Sequence, residues 1–245
     1  MDIGWFSCGI TSFIACKLAI EKYPDLEIYY LDTHSEHPDN KRLLKDAERI
    51  LGKTIHVRSS KEYSDIWDVF EKKNYLVGPK FAHCTNELKK FVRRDVEKEL
   101  DYDPRNGIQV FGYDNSEIQR ADRFKKSNPE VEVYYPLIEN NLSKEDCKRM
   151  AQDLGLELPT MYKLGFKNNN CIGCVKGGIG YWKKIRLHFP EQFKRMSDME
   201  KKIGHTILKD RRNGGNIRLW LHELDAEIQE EEAIQCDFLC GMEVK

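Results

Sequence analysis

The chain has 245 residues, 40% of them hydrophobic and 33% charged, with 40 Lys and Arg against 41 Asp and Glu. That length can bury a sizeable core as one large domain or a domain with an appendage, and the balance excludes a global charge bias toward nucleic acid or membrane. With no basic segment leading into an apolar one and no apolar run long enough to span a bilayer, the expectation is a cytoplasmic protein without a membrane partner, its eight cysteines kept as thiols.

Residues 3–6 form a compact apolar run that breaks at Ser7, Cys8, Gly9, Ile10, Thr11 and Ser12 and restarts with helical character. This reads as strand, tight loop and helix N-terminus. Unpaired N–H groups in a first helical turn, at the positive end of the helix dipole, form an anion site. Ser7, Gly9, Thr11 and Ser12 are small or hydroxylic, as a phosphate cradle requires. A plain strand-to-helix turn capped by Thr11 or Ser12 is the alternative.

A helix over 11–22 carries a broad apolar band through Phe13, Ile14, Cys16, Leu18, Ala19 and Ile20, and Pro24 stops it. A strand over 26–31 follows and delivers Asp32 and Thr33 to its carboxyl end, the edge where open α/β sheets bind ligands. Then come a helix over 39–51, a strand over 53–58, a helix over 63–73 and a loop at Gly78 and Pro79. Cys84 and Lys89 open a basic helix that runs to Leu100. Strands over 107–112 and 131–135 flank an exit bearing Asp114, Glu117, Arg120 and Arg123, and a helix from Ser143 ends near Leu154. The alternation predicts an α/β fold with a doubly wound, Rossmann-like parallel sheet.

Beyond residue 160 the character changes, so residues 1–160 read as the sheet domain and 161–245 as a C-terminal helical, cysteine-containing segment packed on it. Cys171 and Cys174 form a CxxC whose turn Gly173 permits, a spacing that puts two sulfurs on one metal or makes a redox pair. The stretch 183–218 is basic, including Lys183, Lys184, Arg186 and Arg218, whereas 223–232 is acidic. A nucleic-acid face and a solvated surface paired with the acidic tail both fit this pattern.

Taken in order, these segments resemble the phosphoadenosine-phosphosulfate (PAPS) reductase-like branch of the PP-loop adenine-nucleotide α-hydrolases, which have a HUP-like fold. Residues 7–12 match the Ser-Gly-Gly-x-Asp-Ser loop, and residues 32–38 match the Asp-Thr-Gly and Phe-Pro-Glu element. Cys84 with Lys89, Gly112 through Ser116 to Arg120, Pro136 with Leu137, and Tyr162, Gly165, Phe166, Cys171 and Cys174 continue the series. The likeness covers residues 3 to 190 and is similar to stand-alone proteins of bacteria and their phages. Three positions depart from it: Thr11 replaces the loop carboxylate, Cys8 replaces a glycine, and Cys84 follows His83 where cluster-bearing relatives have paired cysteines.

The resemblance implies an adenine nucleotide, either ATP or an adenylyl sulfonucleotide, held by Ser7, Cys8, Gly9, Ile10, Thr11, Ser12, Asp32, Thr33 and Gly112, with Mg²⁺ as an accompanying ion. Lys89 and Arg120 would be catalytic cations. Cys84, Cys171 and Cys174 with Cys236, or with Cys240 as the alternative fourth ligand, would carry a 4Fe-4S cluster, zinc being the alternative. Cys240 before Gly241 also resembles the tail nucleophile of sulfonucleotide reductases, whose thiosulfonate a thioredoxin-like reductant resolves.

Three activities follow. One is cleavage of ATP at the α phosphorus with adenylation of an acceptor and iron-sulfur-assisted sulfur transfer to it, with a sulfur donor as partner and nucleic acid as an acceptor docking on 183–218. The second is release of sulfite, and the third is nucleotide or nucleic-acid binding without turnover. A homodimer is left open.

Overall fold

The structure is a computed structural model that describes residues 1–78, 82–210, 217–225, 227, 231 and 234. β1 (Ile3–Phe6), α1 (Ile10–Lys22), β2 (Glu27–Asp32), α2 (Asn40–Leu51), β3 (Ile55–Ser59) and α3 (Ile66–Lys73) alternate as the apolar pattern requires. α4 (His83–Thr85), a π-helical turn (Asn86–Lys90) and α5 (Phe91–Glu99) then run on without a break. β4 (Ile108–Val110), α6 (Ile118–Ser127), β5 (Glu132–Tyr134), α7 (Pro136–Glu139) and α8 (Lys144–Asp153) complete the sheet region.

Every strand pairing in this sheet is parallel, in the order β3-β2-β1-β4-β5 with β1 at the centre. This is the expected doubly wound α/β fold. Alternation along β1 makes both faces: Phe6 packs with α1, α2 and α8, whereas Ile3 and Trp5 pack with Val92, Val96 and Phe124 of α5 and α6. Gly4 lets α1 close down on the sheet, since a Cβ there would stand 3.4 Å from Cys16 Sγ.

Local chemistry sets the helix ends. Ser143 caps α8 by accepting from the Asp146 N–H, while the Asp146 carboxylate accepts from the Ser143 N–H at 2.9 Å. α3 begins at Ile66 rather than Tyr63 because Asp65 takes the cap, accepting from Asp68 N–H at 2.8 Å.

After residue 160 come α9 (Thr160–Lys163), α10 (Ile179–His188) and α11 (Pro190–Ile203), but the segment is not helical throughout. β6 (Leu208–Asp210) and β7 (Ile217–Leu219) form an antiparallel pair. The fully buried Glu200 anchors it, one carboxylate oxygen accepting from Ile207 N–H and the other from Leu221 N–H, both at 2.8 Å. This segment shares a core with α3, where Trp67, Phe70 and Leu88 meet Phe166, Tyr181 and Trp182.

The basic stretch is turned toward the acidic tail at its start. Lys183 pairs with Asp225 at 2.5 Å, Lys184 with Glu231 at 3.1 Å, and Arg186 donates to the Leu224 carbonyl at 2.7 Å.

Asp39 fastens α2 to residues 157–160. Its carboxylate accepts from Arg42 Nε and Nη2 at 2.7 and 2.9 Å and from Thr160 N–H at 2.9 Å. The Arg42 guanidinium, aided by that N–H, holds the Asp39 carboxyl well below the usual carboxylate range. A depressed carboxyl stabilises the fold above its unfolded pKa of about 4, and that contribution is lost as pH falls through the lower folded value. Asp39→Asn is therefore expected to cost about 1–2 kcal/mol at neutral pH and to flatten the acid limb of the urea-midpoint profile below about pH 4. An acid limb unchanged from wild type would refute the assignment.

Candidate functional site

The phosphate-loop candidate is shaped by its own hydroxyls. Ser12 Oγ accepts from the Ser7 N–H and the Ser7 hydroxyl, both at 3.0 Å, and donates to the Gly9 carbonyl at 2.9 Å. Gly9, the residue before α1, has no side chain, so no side-chain cap hydrogen bond closes the first turn of the helix. Ser7, Gly9, Thr11 and Ser12 line a cleft of about 250 Å³. Cys8 and Ile10, also expected to bind, put their side chains into the core below the loop, and Cys8 adopts a left-handed φ of +53°. Gly112, leaving β4, lies directly against the loop: a Cβ there would stand 2.6 Å from the Ser12 backbone.

The far walls of the cleft come from separate segments. Lys89 enters from the π-helical turn, Arg120 from α6, Lys144 from α8, and Asn168, Asn169 and Ile234 from the C-terminal segment. Arg120 pairs with Glu117 and lies 4.6 Å above the Tyr113 ring. Arg123 is exposed outside the cleft. Lys144, which the sequence reading did not single out, donates to the Lys167 carbonyl and Asn168 Oδ1, and burial lowers its pKa. Its only signal was its place directly after the Ser143 cap.

Two carboxylates line the cleft, and both are engaged. Asp114 accepts from the Ser116 N–H at 2.9 Å and its hydroxyl at 2.5 Å, while Glu117 accepts from Asp114 N–H at 3.3 Å besides pairing with Arg120. With Thr11 in place of a loop carboxylate, Asp114 and Glu117 are the cleft carboxylates that would hold Mg²⁺ beside the phosphates of a nucleotide.

Beside the cleft lies a small apolar chamber of about 20 Å³ lined by Thr33, Phe70, Cys84, Leu88, Cys171 and Cys174. Lys89 lines both spaces. The CxxC turn is built on Tyr181, whose hydroxyl donates to the Cys171 carbonyl at 2.6 Å and accepts from Gly173 and Cys174 N–H at 3.0 and 3.1 Å. Gly173 takes φ +98° as expected, and Trp67 fills the space where a Cβ would sit.

Asp32 and Thr33 are not among the residues lining the cleft. Asp32 accepts from His34 N–H at 2.7 Å and pairs with its ring at 3.1 Å, and Thr33 Oγ1 contacts Cys171 Sγ at 3.2 Å instead of facing the cleft. The partner of Lys89 is Glu36, at 3.7 Å. The Glu36 carboxylate also accepts from the Tyr30 hydroxyl at 3.1 Å, Thr33 N–H at 3.4 Å and the Cys171 thiol at 3.6 Å. Its sequence signal was membership of the element at residues 32–38.

Burial, followed by the Glu36 charge, pushes the Cys171 thiol well above its ordinary value. Cys16 and Cys147 are pushed up to about 12, chiefly by burial, in keeping with packing roles. Cys84, Cys171 and Cys174 are donors of the kind iron–sulfur clusters and zinc take, yet among the described residues no three His, Cys, Asp or Glu are arranged to hold a metal ion. Cys236 and Cys240 lie outside the described residues.

Fold and cleft together define a doubly wound α/β protein with a cleft at the carboxyl edge of its sheet, lined by the loop that leads into α1. Among solved structures it is similar to the crystal structure of phosphoadenylyl-sulfate (PAPS) reductase from Candida auris in a phosphate complex. The two share 14% sequence identity over 69% of this chain and 80% of that one, with a TM-score of 0.51, a likeness of fold. No family model matches the chain, and no curated protein does.

Gly112→Ala tests the loop. Its methyl group would meet the Ser12 and Thr11 backbone, so the strand exit or the loop must shift. The expected result is at least a tenfold loss of inorganic phosphate affinity by calorimetry, on the order of 1.4 kcal/mol, with the far-ultraviolet circular dichroism retained. Unchanged phosphate affinity would remove the loop from the binding site.

Proposed function

We propose that the cleft binds an adenylyl sulfonucleotide and that the chain reduces it, releasing sulfite. What carries this reading is the convergence on one cleft of the loop residues Ser7, Gly9, Thr11 and Ser12 with Lys89 and Arg120, from three distant segments. First-turn N–H groups suit a phosphate, and two cations suit the anionic sulfate beside it. The fold shared with a PAPS reductase, solved with phosphate, supports the same ligand class.

Cys240 is the nucleophile in this reading, on the sequence likeness of the tail, and Ile234, which precedes it in the chain, lines the cleft. Its thiolate attacks the sulfate sulfur, the bond from sulfur to the bridging oxygen breaks, and the nucleoside phosphate leaves with that electron pair. Lys89 and Arg120 stabilise the charge that develops on the leaving phosphate. A dithiol reductant of thioredoxin type then attacks Cys240 Sγ, sulfite departs, and the reductant ends as a disulfide, having supplied two electrons.

The engaged carboxylates and Thr11 favour this reaction over cleavage of Mg²⁺-bound ATP with adenylation of an acceptor. No step passes through a metal. If the chain carries a 4Fe-4S cluster or zinc, Cys84, Cys171 and Cys174 with a tail cysteine would hold it, and iron, zinc and sulfide content of anaerobically purified protein decides that question.

The decisive assay incubates the full chain with adenylyl sulfate or its 3′-phosphate, thioredoxin and a reducing system. Sulfite release is expected, lost in Cys240→Ser and lowered in kcat/KM about tenfold to a hundredfold in Arg120→Ala. Pyrophosphate release from ATP without sulfite would overturn the reading in favour of adenylation. Nucleotide binding with neither product would leave a binding protein.

A further inference from the structure

At Cys8, where the resemblance has a glycine, a side chain occupies the left-handed region at φ +53°. That conformation is strained for any residue with a Cβ, and glycine adopts it freely. The Cys8 side chain is wholly buried, so it forms no cap or turn contact with solvent-facing groups of the loop. The peptide that follows it must be held from elsewhere.

Asn169 holds it. Its Nδ2 donates to the Cys8 carbonyl and to Asn40 Oδ1, both at 2.7 Å. The amide orientation is not free to reverse, because a backbone carbonyl can only accept and the nitrogen must therefore face it. Since the peptide is planar, fixing the Cys8 carbonyl fixes the opposed N–H of Gly9, one of the small residues lining the cleft.

Asn169 is itself tied down. Asn40 Nδ2 donates to the Tyr30 hydroxyl at 3.4 Å, and that hydroxyl donates to Glu36 at 3.1 Å, the carboxylate that pairs with Lys89. Asn40 and Asn169 are buried, so this is a protected connection and not a solvent-exchanging one.

We propose that Asn169 is a positioning residue of the phosphate loop, locking the strained Cys8 peptide so that the loop presents its N–H groups to an anion, a role that rests on the anion-binding reading above. It supplies from the C-terminal segment the conformational bias that a glycine would make unnecessary. The Asn40, Tyr30 and Glu36 contacts extend the lock to Lys89, another residue lining the cleft.

The test is a double-mutant cycle in the full chain with Asn169→Ala, Cys8→Gly and the pair, read by inorganic phosphate affinity and by the ligand-free urea midpoint. Asn169→Ala is expected to weaken phosphate about tenfold in the wild-type background, as loss of a buried hydrogen bond allows. In the Cys8→Gly background the same change should cost about threefold or less, because glycine needs no lock. A residue that merely stabilised the fold would lose affinity equally in both backgrounds, and that result overturns the proposal. Should Asn169→Ala not fold, Asn169→Gln carries the same comparison. If the wild type binds neither phosphate nor nucleotide, Proposed function fails by itself, while non-additive urea midpoints still support the lock and additive ones reject it.

Discussion

The Glu36 carboxylate is the group on which the site depends, because four different donors meet there and its side chain is only 6% exposed. A buried carboxylate stays in place only if its oxygens are satisfied. Tyr30 supplies a hydroxyl from the sheet, Thr33 a backbone N–H, Cys171 a thiol from the CxxC turn and Lys89 a cation from the π-helical turn. Each of these elements is therefore located by the same charge. The π-helical turn adds to this: a register with one extra residue re-aims the helix face, and it is from this turn that Lys89 reaches both the cleft and the thiol chamber.

Much of the fold was legible because apolar periodicity decides helices and strands directly. α1, α2, the alternation of strands with helices and the Ser143 cap followed from pattern and cap chemistry, and so did the loop at residues 7–12. The antiparallel pair β6 and β7 was not legible, since three-residue strands show no period and are held by a distant carboxylate, Glu200. Site chemistry divided in the same way. Residues whose role is local, such as Gly173 in its turn, were readable. Asp32 and Glu36 were not separable, since both are carboxylates of the one element at residues 32–38 and only the fold decides which of them reaches Lys89.

Electrostatics of the cleft favours ligands that bring their own negative charge. Lys89, Arg120 and Lys144 line it, while Asp114 and Glu117 are occupied in capping the turn at residues 115–117. Arg120 is held flat against Tyr113 and by Glu117, so its guanidinium is oriented before a ligand arrives. Prior orientation reduces the ordering cost of binding. The neighbouring chamber has the opposite character: it is apolar, and burial there pushes the Cys171 thiol up. Lys89 stands at the boundary of the two environments, so an anion in the cleft competes with Glu36 for the same cation.

The change of composition near residue 160 marks a change in surface chemistry without marking an edge of the site. Tyr162, Asn168, Asn169 and Ile234 line the cleft whose floor is the loop at residues 7–12, and Thr160 is fastened to Asp39. The first 160 residues supply the sheet, the helix dipole and the cations. What they do not supply is the hydrogen bond on the Cys8 carbonyl, which comes from Asn169 two residues before the CxxC. A shift of that turn would move Asn169 with it, and the strained Cys8 peptide would lose its restraint. The thiol turn and the loop at residues 7–12 are thus coupled through covalent proximity on one side and a hydrogen-bonded carboxamide on the other. A chain that keeps glycine at position 8 would have no need of that coupling.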